Sequence, residues 1–246
     1  MTKQVHFIMQ GKGGVGKTLI STILTQYLLS IDKKVLCLDT DPVNKSFTRF
    51  KSLNVDSIPL LKNDSIDPHN FDLMVEKIIT SDVDAVVVDS GASTFIPINK
   101  YIASCNLFGF LKEADCSVCL HSVIAGGQSA DDTLMGVAGI LSTYSKFDPA
   151  PEIAIWMNSY NGDIQWKGKG FTETNTYIDH KEAIKYLIDM PNLDPMLFGK
   201  DFELLLKSGH TFAEAMQDDT ITLMCKHRIK TVKDRYFAVI QAAGIN

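Results

Sequence analysis

The stretch of residues 10–18 constrains this chain more than any other. It reads Gln-Gly-Lys-Gly-Gly-Val-Gly-Lys-Thr, and residues 11–18 fit the pattern G-x-x-x-x-G-K-[ST]. The apolar residues 5–9 before it predict a buried strand, and apolar residues at helical spacing across 20–28 predict a helix after it. A glycine-rich loop between a strand and a helix indicates a nucleoside triphosphate site, the alternative being a chance glycine-rich turn.

The residues of this loop have separable roles. Glycines let consecutive backbone N–H groups curl around a phosphate, and the dipole of the following helix adds positive potential there. We expect Lys17 to reach the β- and γ-phosphates and the Thr18 hydroxyl to ligate Mg²⁺. The predicted cofactor-binding residues of the loop are Gly11, Lys12, Gly13, Gly14, Val15, Gly16, Lys17 and Thr18.

Lys12 goes beyond the general pattern. Residues 12–18, Lys-Gly-Gly-Val-Gly-Lys-Thr, resemble the deviant Walker A signature of the ParA/MinD family of ATPases. The resemblance implies that ATP is the nucleotide and that Lys12 crosses a homodimer interface to touch the partner's nucleotide. Such a lysine would act as an arginine finger does, delivering a cation to the charge that develops on the transferring phosphate. The alternative is a solvent-exposed loop lysine.

Two carboxylates follow apolar runs that predict buried parallel strands. Asp41 lies in Asp-Thr-Asp-Pro at 39–42, and the resemblance implies that it orients the attacking water and supports the Mg²⁺ shell. Its alternative role is helix capping. Asp89 ends the run 84–89 in a Walker B arrangement, in which the carboxylate holds a water on Mg²⁺ or a serine beside it. Gly91 follows in a loop that resembles the family's second switch.

Two further residues are candidates for binding the base. The resemblance implies that Asn158, at the end of a predicted strand, hydrogen-bonds the adenine edge and that Pro191 forms a wall beside the base. Either could instead be a turn residue at a strand end. Residues 160–170, which are polar, rich in glycine and carry aromatic side chains, form either a partner-contacting surface or a mobile insertion.

Net charge, apolar runs and cysteine count limit the classes of protein to which this chain can belong. A net charge of −5 gives no overall attraction to nucleic acid, so any such contact needs a local patch. No apolar run approaches the roughly 18 residues of a membrane span. An odd number of cysteines, five, predicts reduced thiols in a cytoplasmic protein. Cys116 and Cys119 are expected on opposite faces of a strand, and the six histidines show no ligand spacing.

A candidate for such a basic patch is a long predicted helix over residues 218–241. Lys226, Lys230 and Lys233 share one face of it at i, i+4, i+7. A basic face of this kind could bind DNA phosphates non-specifically or anionic lipid. The alternative is a core-packed helix with a solvated lysine face.

The alternation of apolar strands and helices predicts an α/β fold with a doubly wound, mostly parallel sheet covered by helices on both faces. We expect residues 1–246 to form a single P-loop ATPase domain. Among the other segments, residues 45–54, 96–112 and 128–145 are predicted to be helices, and residues 55–66 are predicted to be an irregular connection.

The chain is also similar to TraL-type conjugal-transfer proteins of plasmids and integrative elements. It departs from partition ATPases at Val43, where they have Gln, and at Gly91, where they have proline. Membership would imply a cytoplasmic ATPase beside a DNA-transfer apparatus, with type IV secretion or relaxosome proteins as partners. The TraL-like residues lie at 10–17, 39–44, 91–93, 126–128, 199–202 and 211–212.

Three classes of function remain open from the sequence. The first is a slowly hydrolysing switch that dimerises on binding Mg-ATP. The second is an ATP-dependent positioning or partition module that binds DNA or membrane and uses hydrolysis only for release. The third is a small-molecule kinase or ligase, which Lys12 argues against because delivery in trans makes sense only in a dimer.

Overall fold

The computed structural model describes residues 2–63 and 65–245, and its centre is a parallel sheet. The strands are β1 (Lys3–Ile8), β2 (Val35–Asp39), β3 (Asp56–Ser57), β4 (Leu61–Lys62), β5 (Ser65–Ile66), β6 (Ala85–Asp89), β7 (Cys116–Ala125), β8 (Glu152–Asn158) and β9 (Ile184–Asp189). Seven of them pair in the order β3-β2-β6-β1-β7-β8-β9, every pair parallel, while β4 and β5 form a separate antiparallel hairpin. The predicted doubly wound parallel sheet is confirmed.

Helices cover both faces of this sheet. They are α1 (Lys17–Ser30), α2 (Pro68–Thr80), α3 (Phe95–Ser104), α4 (Leu107–Glu113), α5 (Ala130–Tyr144), α6 (Asn175–His180), α7 (Lys200–Ser208), α8 (Phe212–Gln217) and α9 (Leu223–Ala243). One core lies between the sheet and α2–α5, and a second lies between the sheet and α1, α7, α8 and α9. Burial on both faces explains why the central strands are apolar runs. In residues 2–63 and 65–245 no helix has both the length and the apolar character needed to cross a membrane.

Several predicted elements were wrong in detail. Residues 45–54 form two short 3₁₀ turns, and the stretch 55–66 contains β3, β4 and β5. The predicted helix 96–112 is broken at Asn106, whose positive φ of 48° reverses the chain between α3 and α4. A 3₁₀ turn precedes α5, and α9 begins only at Leu223 because the hydroxyl of Thr222 accepts the hydrogen bond that caps it.

The strand register brings the sequence motifs to one edge of the sheet. Asp39 at the end of β2 pairs with Asp89 at the end of β6, and Asp89 in turn pairs with Ile8 at the end of β1. The glycine-rich loop leaves β1 directly after this row. The carboxyl ends of parallel strands are where open α/β sheets bind ligands.

Candidate functional site

The glycine-rich loop is tightly curled. Gly14 and Gly16 have φ angles of 73° and 110°, which side chains rarely tolerate, and α1 begins at the next residue, Lys17. A Cβ on Gly11 would lie 3.0 Å from Cδ1 of Phe95, which packs over the start of the loop. The loop therefore needs its glycines for backbone conformation at one end and for close packing at the other.

Lys17 points into the loop. Its Nζ donates a hydrogen bond to the carbonyl oxygen of Lys12 at 2.9 Å, and its side chain is buried. Burial lowers the pKa of the Lys17 ammonium, and the nearby carboxylates of Asp89 and Asp41 partly oppose this effect. A buried ammonium at the start of a helix is suited to an anionic ligand.

Asp89 lies at the centre of a hydroxyl network. Its Oδ2 accepts from the Thr18 hydroxyl at 2.7 Å and its Oδ1 from the Ser21 hydroxyl at 2.8 Å. Burial raises the pKa of the Asp89 carboxyl to about 7. These oxygen donors are the ligand type that Mg²⁺ prefers, so the residues present fit a magnesium ion. Ser21 is not among the residues predicted from the sequence, although a polar residue one turn after Thr18 on a buried helix face is a usable signal.

Asp39 and Asp41 differ in burial and in the hydrogen bonds that they accept. Asp39 is fully buried, and its carboxylate accepts backbone N–H groups from Asp41, Phe47 and Thr48 at 3.1 Å each, so it organises the turn after β2. Asp41 is only partly buried, and its Oδ1 accepts from the N–H groups of the two residues after Pro42. These bonds form a turn over residues 41–44, where no helix begins, so the alternative of helix capping by Asp41 is wrong, and its second oxygen is left free of these bonds.

Asp41 also contacts the loop that follows Asp89. A Cβ on Gly91 would lie 2.6 Å from the Asp41 carboxyl carbon, so the absence of a side chain at Gly91 lets the carboxylate sit against the chain that follows Asp89. The predicted Mg²⁺-supporting residues Thr18, Asp41 and Asp89 thus share one edge of the sheet. Their roles in binding and hydrolysis stay predictions.

Lys12 points away from the loop that Lys17 enters. Its Nζ forms an ion pair with Oδ2 of Asp132, in the first turn of α5, at 2.7 Å. The two side chains are 42% and 57% exposed. The loop therefore carries one lysine inside and one lysine on its outer surface.

Gln10 connects the glycine-rich loop to α5 and β7 through hydrogen bonds of its side chain. It is fully buried, and its Nε2 donates to the carbonyl oxygens of Val123 and Thr133 at 2.8 and 3.0 Å. Its Oε1 accepts from the N–H of Gly11 at 2.8 Å. Gly136 on α5 makes room for it, since a Cβ there would lie 2.1 Å from that oxygen.

We expect Gly136→Ala to destabilise the fold by about 1–3 kcal/mol, because Gln10 is held at both ends and cannot move aside. Gly139→Ala is the matched control on the same helix, since a Cβ there meets nothing within 4 Å. It should stabilise the protein by about 0.5–1 kcal/mol through helix propensity. Urea unfolding of both variants measures whether the free energy of unfolding falls or rises. Equal changes in the two variants would contradict the packing of Gln10 against Gly136.

The predicted base-binding residues lie beside the loop. The Asn158 side-chain amide donates to the carbonyl oxygen of Val15 at 3.0 Å, and its oxygen accepts from the N–H of Tyr160 at 3.1 Å. In this structure the Asn158 amide therefore links the glycine-rich loop to the backbone that follows β8. Pro191 follows β9, two positions past the residue that pairs with Met157, so it lies at the same edge of the sheet. A base-binding role for either residue stays a prediction.

Residues 160–170 are anchored at their start. The N–H of Gly127 donates to the carbonyl oxygen of Asp163 at 3.3 Å, and a Cβ on Gly126 would lie 1.8 Å from the carbonyl oxygen of Gly162. Further along, Trp166 and Lys169 exchange two backbone hydrogen bonds across a tight turn. The Gly126-Gly127 pair thus lets this segment approach the end of β7 closely.

The basic residues of α9 are largely engaged within the chain. Lys226 donates to the carbonyl oxygen of Met216 at 2.9 Å, and Lys230 pairs with Asp234 at 2.6 Å. Three others are also paired: Lys233 with Asp234 and the Phe237 ring, Arg228 with Asp201, and Arg235 with the Phe198 ring. A phosphate would have to displace these partners before it could bind the lysine face, and a role of that face in binding DNA or lipid stays a prediction.

A buried cluster of two histidines and a cysteine was not predicted from the sequence. His6, Cys119 and His121 offer ligand atoms within 4.8 Å of one another, although nothing in their spacing predicts it. Trp156 Nε1 donates to His121 Nδ1, so His121 Nε2 carries the proton and donates to His6 Nδ1, both at 2.9 Å. His6 Nε2 then carries a proton and, among the described residues, has no hydrogen-bond partner.

This hydrogen-bond chain uses the imidazole lone pairs that a metal would need. Burial lowers the pKa of His6 to about 4 and that of His121 well below its usual value, which matches two neutral rings. The expected placement of Cys116 and Cys119 on opposite faces is met, since Cys116 packs in the core under α2–α5 and Cys119 in this cluster.

Residues 6–224 match the family model described as the CobQ/CobB/MinD/ParA nucleotide binding domain. Two Escherichia coli proteins named TraL are each 36% identical to this chain, covering 98% of it and 99% of their own length.

Solved structures share the fold at low sequence identity. The MinC:MinD cell division protein complex of Aquifex aeolicus superposes with a TM-score of 0.52 at 17% identity, covering 96% of both chains. A complex of Cyanothece McdA with ATP superposes with a TM-score of 0.51 at 13% identity, covering 100% of this chain and 98% of that one. Both similarities concern the fold alone.

Proposed function

The chain belongs to the CobQ/CobB/MinD/ParA family of nucleotide-binding domains, and from that premise we propose that it is a switch that dimerises on binding Mg-ATP and hydrolyses ATP slowly. The observation that carries the proposal is the opposite placement of two lysines on one loop. Lys17 is buried inside the loop, whereas Lys12 lies on its outer surface beside Asp132. A cation on the outside can serve the nucleotide of a second copy.

The surface around the loop supports the same proposal. Val43, Ile96 and Met135 are 75%, 76% and 73% exposed. Each adjoins a residue of the site: Val43 donates its N–H to Asp41, Ile96 follows Phe95, and Met135 precedes Gly136. Bulky apolar side chains around a polar loop are better stabilised against another protein surface than in water. We propose that they are covered in the dimer.

The residues of the site divide the chemistry of ATP hydrolysis among them. The loop N–H groups and Lys17 bind and orient the phosphates, and Thr18 with Asp89 would hold Mg²⁺, which neutralises phosphate charge when bound. Asp41 orients the attacking water, and its contact with Gly91 links it to the second switch. Lys12 of the partner copy stabilises the charge that develops on the transferred phosphate.

The test of this proposal is the oligomeric state in solution. Sedimentation velocity should show a monomer without nucleotide and with Mg-ADP, and a dimer with Mg-ATP. Lys12→Ala should bind ATP and stay monomeric. A wild-type chain that binds ATP and remains monomeric at every protein concentration would overturn the switch.

We expect magnesium binding to strengthen as pH rises from 6 to 8. The Asp89 carboxyl has a pKa of about 7 and must lose its proton to act as a metal ligand. Between these pH values its ionised fraction rises about tenfold, and the apparent Mg²⁺ affinity of the ADP complex should follow. Calorimetric titration of Asp89→Asn supplies the control, because the remaining pH dependence belongs to the nucleotide. An equal dependence in both proteins would contradict the role of Asp89.

We further propose that the switch is accessory to conjugative DNA transfer, with proteins of the transfer apparatus as its partners. The support is the similarity to the two TraL proteins over nearly the whole chain. Transfer frequency from donor cells that carry Lys17→Ala tests this role. Unchanged transfer by a variant shown to be unable to bind ATP would separate the ATPase from conjugation.

A further inference from the structure

A groove lies between α2, α3 and α4 on the outer face of the molecule. Its cavity volume is about 490 Å³. Phe71 and Tyr101 contribute rings packed at a tilt with centroids 4.4 Å apart, and Phe110 at the rim is 52% exposed. The apolar lining comprises Phe71, Val75, Ile79, Tyr101, Leu107 and Phe110. None of these residues belongs to the candidate ATP site.

Two carboxylates border the groove on one side. Asp72 and Glu76 are exposed and stand one turn apart on α2. Among residues 2–63 and 65–245 neither has an ion-pair partner, whereas their neighbour Lys77 pairs with Asp56. Like charges at i, i+4 destabilise a helix, so this arrangement costs stability unless a cation approaches both.

We propose that this groove is the docking site for a short amphipathic helix of a partner protein. The occupant would place aliphatic or aromatic side chains against Phe71, Tyr101 and Phe110, with lysine or arginine over Asp72 and Glu76. A helix with apolar residues at i, i+3, i+4 and i+7 fits such a groove, and its cationic residues one turn apart match the two carboxylates. Docking does not depend on the proposed ATPase activity, so it is tested without nucleotide.

The probe is a synthetic 14-residue peptide with leucines at helical spacing and lysines elsewhere, labelled with a fluorophore. Its matched control replaces every lysine by glutamate. Fluorescence anisotropy should show that the lysine peptide binds the full chain and that the glutamate peptide does not. Equal binding of the two peptides would overturn the role of the carboxylates.

Two variants locate the binding in the groove. Asp72→Asn with Glu76→Gln should weaken binding of the lysine peptide about fivefold at low salt, since exposed charge pairs contribute little individually. Phe110→Ser should weaken it about tenfold through lost apolar contact. Leu204→Ser on α7, where the side chain is 57% exposed, is the matched control and should leave the affinity unchanged. Undiminished binding to both groove variants would overturn the proposal.

Cys105 provides an independent readout, because it lines the groove and is exposed. The lysine peptide should slow its alkylation by iodoacetamide, followed by mass spectrometry of proteolytic fragments. Cys225 on α9 lies outside the groove and serves as the internal control. Slower alkylation of Cys105 alone supports docking in the groove. Equal slowing at both cysteines, or at neither, contradicts it.

Discussion

Lys17→Ala is expected to abolish ATP binding, with a loss of at least about a hundredfold in affinity. The ammonium of Lys17 is the buried charge at the centre of the loop, and the alanine variant leaves the β- and γ-phosphates without a charge-assisted contact there. Calorimetric titration with ATP and Mg²⁺ measures the effect. The fold should persist, because Lys17 makes its hydrogen bond to a carbonyl oxygen that water can satisfy in the variant.

Lys12→Ala is the matched control for this result. It removes a lysine from the same loop, but from the outer surface, where the side chain contacts Asp132 rather than the interior. Its affinity for ATP in the monomer should change by less than about threefold, since an exposed ion pair contributes at most about 1 kcal/mol. Equal loss of ATP affinity in the two variants would contradict the division of the loop into an inner and an outer lysine.

The sequence predicts the parts of the site that adjoin one another along the chain. The strand, loop and helix around residues 10–18 follow from one continuous pattern, and Asp89 follows from an apolar strand that ends in an acid. Local periodicity and turn chemistry determine these features, so no long-range information is needed.

Contacts between distant residues could not be predicted in the same way. Asp132 is 120 positions from Lys12, and its partner choice depends on how α5 packs against the loop. His6 and His121 meet only because β1 and β7 are neighbours in the sheet. Asp39 and Asp41 lie at the end of the same strand, and the structure separates them because Asp39 is fully buried and holds the N–H groups of Phe47 and Thr48, whereas Asp41 is only partly buried.

The basic helix shows a different limit of sequence reasoning. The spacing of Lys226, Lys230 and Lys233 correctly places them on one helix, but it carries no information about their partners. Met216 and Asp234 receive the hydrogen bonds of two of them. A charge pattern therefore predicts a surface, whereas its availability to a ligand depends on neighbouring elements.

Lys12→Ala is expected to reduce ATP turnover about a thousandfold and to suppress dimerisation, although ATP still binds. The reason is that a cation delivered in trans stabilises charge only in the transition state of the partner's reaction. Steady-state phosphate release with sedimentation on the same samples measures both effects. Turnover at the wild-type rate in a monomeric Lys12→Ala protein would show that hydrolysis needs no second copy.

The ion pair between Lys12 and Asp132 allows a second test of delivery in trans. In the single chain the Asp132 carboxylate holds Lys12 at 2.7 Å, and the ion pair must break before Lys12 can reach another copy. Asp132→Asn should therefore strengthen ATP-dependent dimerisation up to about fivefold, the most that an exposed pair of this kind contributes. Asp131→Asn, one position earlier on the same turn of α5, is the control and should behave as wild type. If Asp132→Asn instead weakens dimerisation as Lys12→Ala does, the carboxylate supports Lys12 in the dimer rather than competing for it.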